Sequence, residues 1–202
     1  DDTDDTDDTD DTDDTDDTHG RTADSSYLLD WSAASIANPN GIDALFKSVY
    51  YPSLVGLIDI SDTEKDVIVA HGSTSDPSVQ NTSKDTRTWR ATTTDGLGFV
   101  VEGGSTSVFF DGYEVEVEDV QVTANLSKDG SEITDGIMTY KANVSFAVAG
   151  LGASSVEEVC EILASFSAVC EPCADGSVEC IPIRWEGLAA EELSPSTVVE
   201  IE

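Results

Sequence analysis

The chain has 202 residues, with 42 aspartates and glutamates against nine lysines and arginines, a formal net charge of −33. A field of that sign repels nucleic acid and anionic membrane surfaces, which argues against both as partners. There is no run of eighteen apolar residues, so no transmembrane helix is expected.

Asp1 to Thr18 is Asp-Asp-Thr repeated six times, with twelve carboxylates and no apolar side chain. Charge repulsion and low hydrophobicity keep such a segment from folding alone. In a polyproline II conformation, with three residues per turn, Thr3, Thr6, Thr9, Thr12, Thr15 and Thr18 form one row spaced about 9 Å apart. That row reads as a set of O-glycosylation sites on a spacer or fibre segment. An unmodified acidic linker is the plainer alternative. Calcium binding is a third, although the EF-hand order of ligands and glycine is missing. Removing the twelve repeat aspartates takes the charge from −33 to −21, so the rest is acidic in its own right. No signal peptide is recognisable, and the expectation is a mature form whose export signal lies upstream.

The expected organisation is residues 1–18 as repeat, 19–26 as a polar junction, and 27–202 as one domain with a sizeable core. Tyr27 to Ile36 reads as a first strand, broken by Asn38-Pro39-Asn40-Gly41. Ile42, Leu45, Phe46 and Val49 recur at helical spacing, predicting a short helix that Pro52 stops. Leu54–Ile60 and Asp66–Ala70 are strand-like, and His71–Asp85 is a long polar loop. Strand signals resume at Thr88–Thr92, Gly98–Val101, Ser107–Phe110, Glu114–Glu118 and Val120–Leu126. Ser127-Lys128-Asp129-Gly130-Ser131 is a hairpin turn, and Ile133–Met138 and Tyr140–Val148 continue the meander until Gly150-Leu151-Gly152. A hydroxyl cap at Ser154-Ser155 and an apolar stripe from Val156 to Phe166 predict a helix to about Ala168. Ile181–Trp185 and Thr197–Glu202 read as closing strands. The fold class is therefore mainly β: an antiparallel β-sandwich or barrel with one or two short helices.

Cys160, Cys170, Cys173 and Cys180 lie within 21 residues of one another. They read as two disulfides of an oxidising compartment, with a four-thiolate zinc site as competitor because of the C-x-x-C at Cys170 and Cys173. Three pairings are open. If one helix runs from Cys160 to Cys170, about 15 Å separates those two, which favours bridging each to the Cys173/Cys180 loop.

No catalytic set emerges, and an enzyme is not expected. His19 and His71 are the only histidines, nothing places His71-Gly72-Ser73 in a cleft, and no G-x-S-x-G, P-loop or H-E-x-x-H occurs. Glu114, Glu116 and Glu118 share one strand face and read as solvated. Trp31, Trp89 and Trp185 read as core rather than a sugar-binding surface. Of the sequons at Asn81, Asn125 and Asn143, only Asn81 sits in a polar loop suited to N-glycosylation.

From Tyr27 to Ala189 the chain resembles uncharacterised acidic secreted or lipid-anchored surface proteins of Gram-negative bacteria. The resemblance rests on Tyr27-Leu28-Leu29-Asp30, on Glu118–Leu126 with its Lys128-Asp129-Gly130-Ser131 turn, and on the Val159-Cys160 helix running into Val169–Gly176. It implies a domain joined to an anchor by an acidic threonine-rich spacer, at the cell surface or outside the cell. The anchoring cysteine of that pattern is not among these residues. The repeat alone is similar to the cores of glycan-coated extracellular fibrils.

Two functions follow. One is an extracellular filament subunit whose repeat carries glycans and whose copies join head to tail, with Val198–Ile201 or Leu28–Trp31 completing a neighbour's sheet. The other is a monomeric surface-anchored ligand-binding module, which as a β-barrel would need an internal cavity. No cofactor is expected for either beyond covalent glycans.

Overall fold

Alternating valines and glutamates between Glu114 and Leu126 give a strand one apolar and one charged face, so one side must be covered. In a computed structural model of the chain, that cover is a closed barrel. The structure describes residues 20–42, 53–94, 97–110, 113–177, 179–195 and 197–201. The Asp-Asp-Thr repeat with its six threonines, His19, and all but Ile42 of the helix expected at Ile42–Tyr51 lie outside the described residues.

The strands are β1 (Ser25–Asp30), β2 (Ser35–Asn38), β3 (Ser53–Ser61), β4 (Glu64–His71), β5 (Arg87–Thr94), β6 (Gly98–Phe110), β7 (Tyr113–Leu126), β8 (Glu132–Asn143) and β9 (Cys180–Leu193). Two short helices, α1 (Ala147–Leu151) and α2 (Val156–Ala164), lie between β8 and β9. Every pairing is antiparallel. Because β1 pairs with both β3 and β9, β1 and β3 to β9 close into an eight-stranded up-and-down barrel. β2 pairs along the same edge of β9 as β1, farther along the strand.

A barrel forms here, and not a sandwich, because four adjacent strands are bent. Register shifts interrupt β6 between Glu102 and Thr106, β7 between Glu118 and Gln121, and β8 and β9 around Gly136. A bulge bends its strand and raises the local twist. Gly104, Asp119, Asp135 and Gly187 take the positive φ these bends need. The bends also explain why β6 and β7 each read as two strands in the sequence, with the break at the bulge.

Other expected elements differ, and the single strand expected at Tyr27–Ile36 is β1 and β2 with a turn between them. β8 ends at Asn143, whose side-chain oxygen accepts from the Ser145 N–H at 2.9 Å, so Tyr140–Val148 is not one strand and α1 follows instead. α2 begins as expected, with the Ser155 hydroxyl accepting from the Glu158 N–H and the Glu158 carboxylate accepting from Ser154. It ends at Ala164, short of Ala168, and Ser167 at φ 63° turns the chain back on itself. That reversal corrects the expected cysteine pairing. Cys160 and Cys170 stand 5.8 Å apart between Cα atoms and are bonded, and so are Cys173 and Cys180 at 5.2 Å. Val159 and Leu163 pack α2 against Tyr140, Ile181, Ile183 and Trp185 at one end of the barrel.

Thr197–Ile201 is not a strand. It forms one isolated bridge, Thr22 to Val199, and lies over the outer face of β3 and β4, where Val198 and Ala23 bury Leu54, Ile68 and Ala70. The chain enters beside it, so residues 21–24 are packed too. All four buried polar side chains of the described residues serve these terminal segments. The Ser26 hydroxyl accepts from the Thr197 and Val198 N–H groups, at 3.2 and 3.1 Å. Asp66 accepts from Arg21 and Arg90, both at 2.6 Å. Gln80 holds both backbone groups of Val199, and Thr86 holds both of Ile201. Gly56 makes the contact possible, since a Cβ there would lie 2.7 Å from the Ala23 side chain and 2.9 Å from that of Val198.

Candidate ligand-binding site

Strand alternation sends every second side chain into the barrel. On β4 these are Val67, Val69 and His71; on β5, Arg87, Trp89 and Ala91; on β7, Val117 and then, beyond the bulge, Val120, Val122 and Ala124. They do not fill it. A cavity of about 380 Å³ remains, walled mainly by valines, Leu29, Phe99, Met138 and the rings of Trp31 and Trp89. That volume falls within the usual range of about 300–1,000 Å³ for small-molecule sites.

The hairpin turn expected at Ser127–Ser131 stands at one end of the barrel. The Tyr27 hydroxyl reaches up from the interior and donates to the Gly130 carbonyl at 2.9 Å. Asp129 ties the turn together by accepting from the Ser127 and Ser131 hydroxyls and the Ser131 N–H, which hold its carboxyl at a pKa of about 2. Toward the other end Trp31 meets Trp185 edge to face, with ring centroids 5.2 Å apart. Trp31 donates to the Ser53 hydroxyl at 3.2 Å, and Trp185 to the Tyr140 hydroxyl at 3.1 Å. Trp185 is therefore the core residue expected of it, whereas Trp31 and Trp89 are half-buried in the cavity wall.

The polar residues of the wall gather where β4 ends and β5 begins. His71, Ser83, Lys84, Asp85 and Arg87 come from that crossing, with Thr106 and Ser107 on the adjacent strand β6. His71, for which no local pattern indicated a cleft, is thus part of one; Ser73 pairs instead with Ser75, at 2.9 Å between hydroxyls. Burial lowers the His71 pKa below its ordinary value, and the positive charges of Lys84 and Arg87 lower it further, so the imidazole is neutral at pH 7. The Thr106 hydroxyl is buried and has no hydrogen-bond partner. The connection between β4 and β5 is firmly held although it reads as a long polar loop. Ser73 and Asn81 donate to the Val79 and His71 carbonyls, both at 2.7 Å, and Gln80 and Thr86 fasten it to the terminal segment.

The other sites expected from the sequence lie apart from this cavity. Asn81 is on the same loop, its side-chain oxygen accepting from the Ser83 N–H and hydroxyl. Glu116 is exposed, and Glu118 accepts from the Ala174 N–H at 2.8 Å. Glu118 also approaches the Cys173 and Cys180 sulfurs, but these are bonded to each other and offer no thiolate to a metal. Of the two segments expected to join a neighbour's sheet, Leu28–Asp30 is paired within its own chain to β9, and Leu28 and Leu29 to β3 as well, while Val198–Ile201 is fastened as described above. Comparison with protein-family models, curated proteins and solved structures finds no match for this chain, so the reading of its cavity rests on the residues that build it.

Proposed function

We propose that this protein is a small-molecule-binding barrel that takes an apolar ligand into its interior and works outside the cytoplasm, at the cell surface or beyond it. The cavity carries this reading. Its lining is mostly apolar, so a ligand that enters it gains about 25 cal/mol for each Å² of apolar surface taken out of water. The site is also preformed, with Tyr27 tied to the hairpin turn and the loop between β4 and β5 held by the terminal segment, so little ordering opposes binding. The two disulfides support an oxidising compartment.

The test is titration with 1-aminoanthracene, a neutral apolar fluorophore, followed by probe emission and by quenching of Trp31 and Trp89. Saturable one-to-one binding by the folded monomer is expected. Non-saturable partitioning, or no enhancement at all, refutes the reading. Size exclusion of the same sample separates it from the filament alternative, which requires discrete monomers to give way to polymers.

A further inference from the structure

We propose, resting on the reading that the interior binds an apolar molecule, that residues 81–85 are a door to the cavity and residues 197–201 the latch that holds it shut. Exposure locates the mouth. Among the described residues of the cavity wall, only Ser83, Lys84, Asp85 and Arg87 are exposed, and the others are buried or half-buried. Those four are neighbours in the chain, so a molecule passing between solvent and interior meets this stretch. The adjacent strand does not brace it there, because β5 pairs with β6 only farther along, from Ala91 onward.

The latch is legible in the hydrogen bonds. Gln80 and Thr86 bracket the door, and both are buried. Gln80 donates to the Val199 carbonyl at 2.8 Å and accepts from the Val199 N–H at 2.7 Å. The Thr86 hydroxyl donates to the Ile201 carbonyl at 3.0 Å and accepts from the Ile201 N–H at 2.8 Å. Between them the turn is tied to itself, with Asn81 accepting from Ser83 and from the Lys84 N–H, and Asn81 donates to the His71 carbonyl at 2.7 Å, which makes that end the hinge. The segment 197–201 is seated on its other side by the buried Val198, by the Arg21–Glu200 ion pair, and by Gly20, where a Cβ would collide with the Glu200 carbonyl. If the segment lifts, Gln80 and Thr86 lose their partners while still buried, a cost that is relieved when the loop moves out to water. Door and latch therefore open together, as a local unit that leaves the barrel folded. Such a device sets how fast a ligand enters and leaves, and leaves affinity to the cavity wall.

Stopped-flow mixing with 1-aminoanthracene tests this on the native protein and two variants. Gly20→Ala dislodges the segment from outside and touches neither door nor cavity; Gln80→Ala/Thr86→Val cuts the bonds between latch and door. Both variants are expected to take up and release the probe about fivefold faster or more, with Kd within about twofold of the native value. Native rates in both variants, or a weaker Kd at an unchanged association rate, overturn the latch. Hydrogen exchange of the native protein gives a readout that does not depend on how the variants fold. Amides of 79–86 and 197–201 should exchange at one common rate, faster than those of β7 and β8, and two unrelated rates overturn the coupling. If 1-aminoanthracene fails to bind at all, the interior-binding reading falls and the latch falls with it, whereas a bound probe with unaltered rates removes the latch alone.

Discussion

Cutting the two disulfides one at a time distinguishes the bridges described here from the crossed arrangement that the sequence favoured. Cys160 and Cys170 are ten residues apart, and Cys173 and Cys180 seven, so the two closed loops share no residue. On the chain-entropy model, opening the first releases about 2.7 kcal/mol of constraint on the unfolded chain and opening the second about 2.4 kcal/mol. Independent loops add, so the variant lacking all four cysteines should lose about 5 kcal/mol. The native barrel should survive either single cut, because Val159 and Leu163 still anchor α2 in the core. Urea unfolding without reductant measures each loss, and a thiol titrant counts free sulfhydryls in the unfolded protein. Cys160→Ala/Cys170→Ala should lose about half of the quadruple variant's deficit and show no reactive thiol. With crossed bridges, the same double variant would break both at once. A double variant as unstable as the quadruple, with two reactive thiols, therefore refutes the pairing.

Gly56→Ala drives a methyl group into Ala23 and Val198 and should cost about 1–3 kcal/mol, with faster proteolysis within 197–201 as the local readout. Asp66→Ala removes the acceptor shared by Arg21 and Arg90 and should cost about 1–3 kcal/mol in urea unfolding. Burial alone would raise the Asp66 pKa, but the two guanidiniums outweigh it and hold it below the ordinary value. Its contribution is therefore complete above the ordinary carboxylate pKa and lost as pH falls through the lower folded value, and in the Asp66→Ala variant that part of the acid sensitivity should vanish. Asp129 should titrate near pH 2 by carbon NMR, so the Ser127–Ser131 turn stays tied at pH 4 and loosens only well below it. A midpoint near 3.8 would contradict the hydrogen bonds assigned to it.

Much of the wall was legible because a strand with one covered face must alternate. Val115, Val117, Val120, Val122 and Ala124 all face inward, as their spacing says, and only the phase change at Asp119 was hidden. The Asp-Gly turn and the Ser155 cap depend on neighbours within four residues, so they too could be read directly. Closure could not. It depends on Tyr27 pairing with Glu192, and no local pattern records that distance along the chain. The length of β9 was missed for a related reason: Gly187 and the exposed Glu191 and Glu192 interrupt its apolar character, and its two neighbours supply the pairing that continues the strand. The cavity was illegible because valines that line a space look the same as valines that fill one.

The seam between β5 and β6 has a consequence for how the molecule fails. β6 and β7 run beside each other for more than ten residues, but β5 meets β6 only from Ala91 opposite Val101 to Thr94 opposite Gly98, the shortest run of pairing around the ring among the described residues. Parting along that seam asks for the fewest hydrogen bonds of any breach in the wall, and it turns a ring with no rim into a sheet with two raw margins at once. The same event would open the interior and offer both margins to another copy, so an intact cavity and shielded strand margins are one mechanical property of this protein.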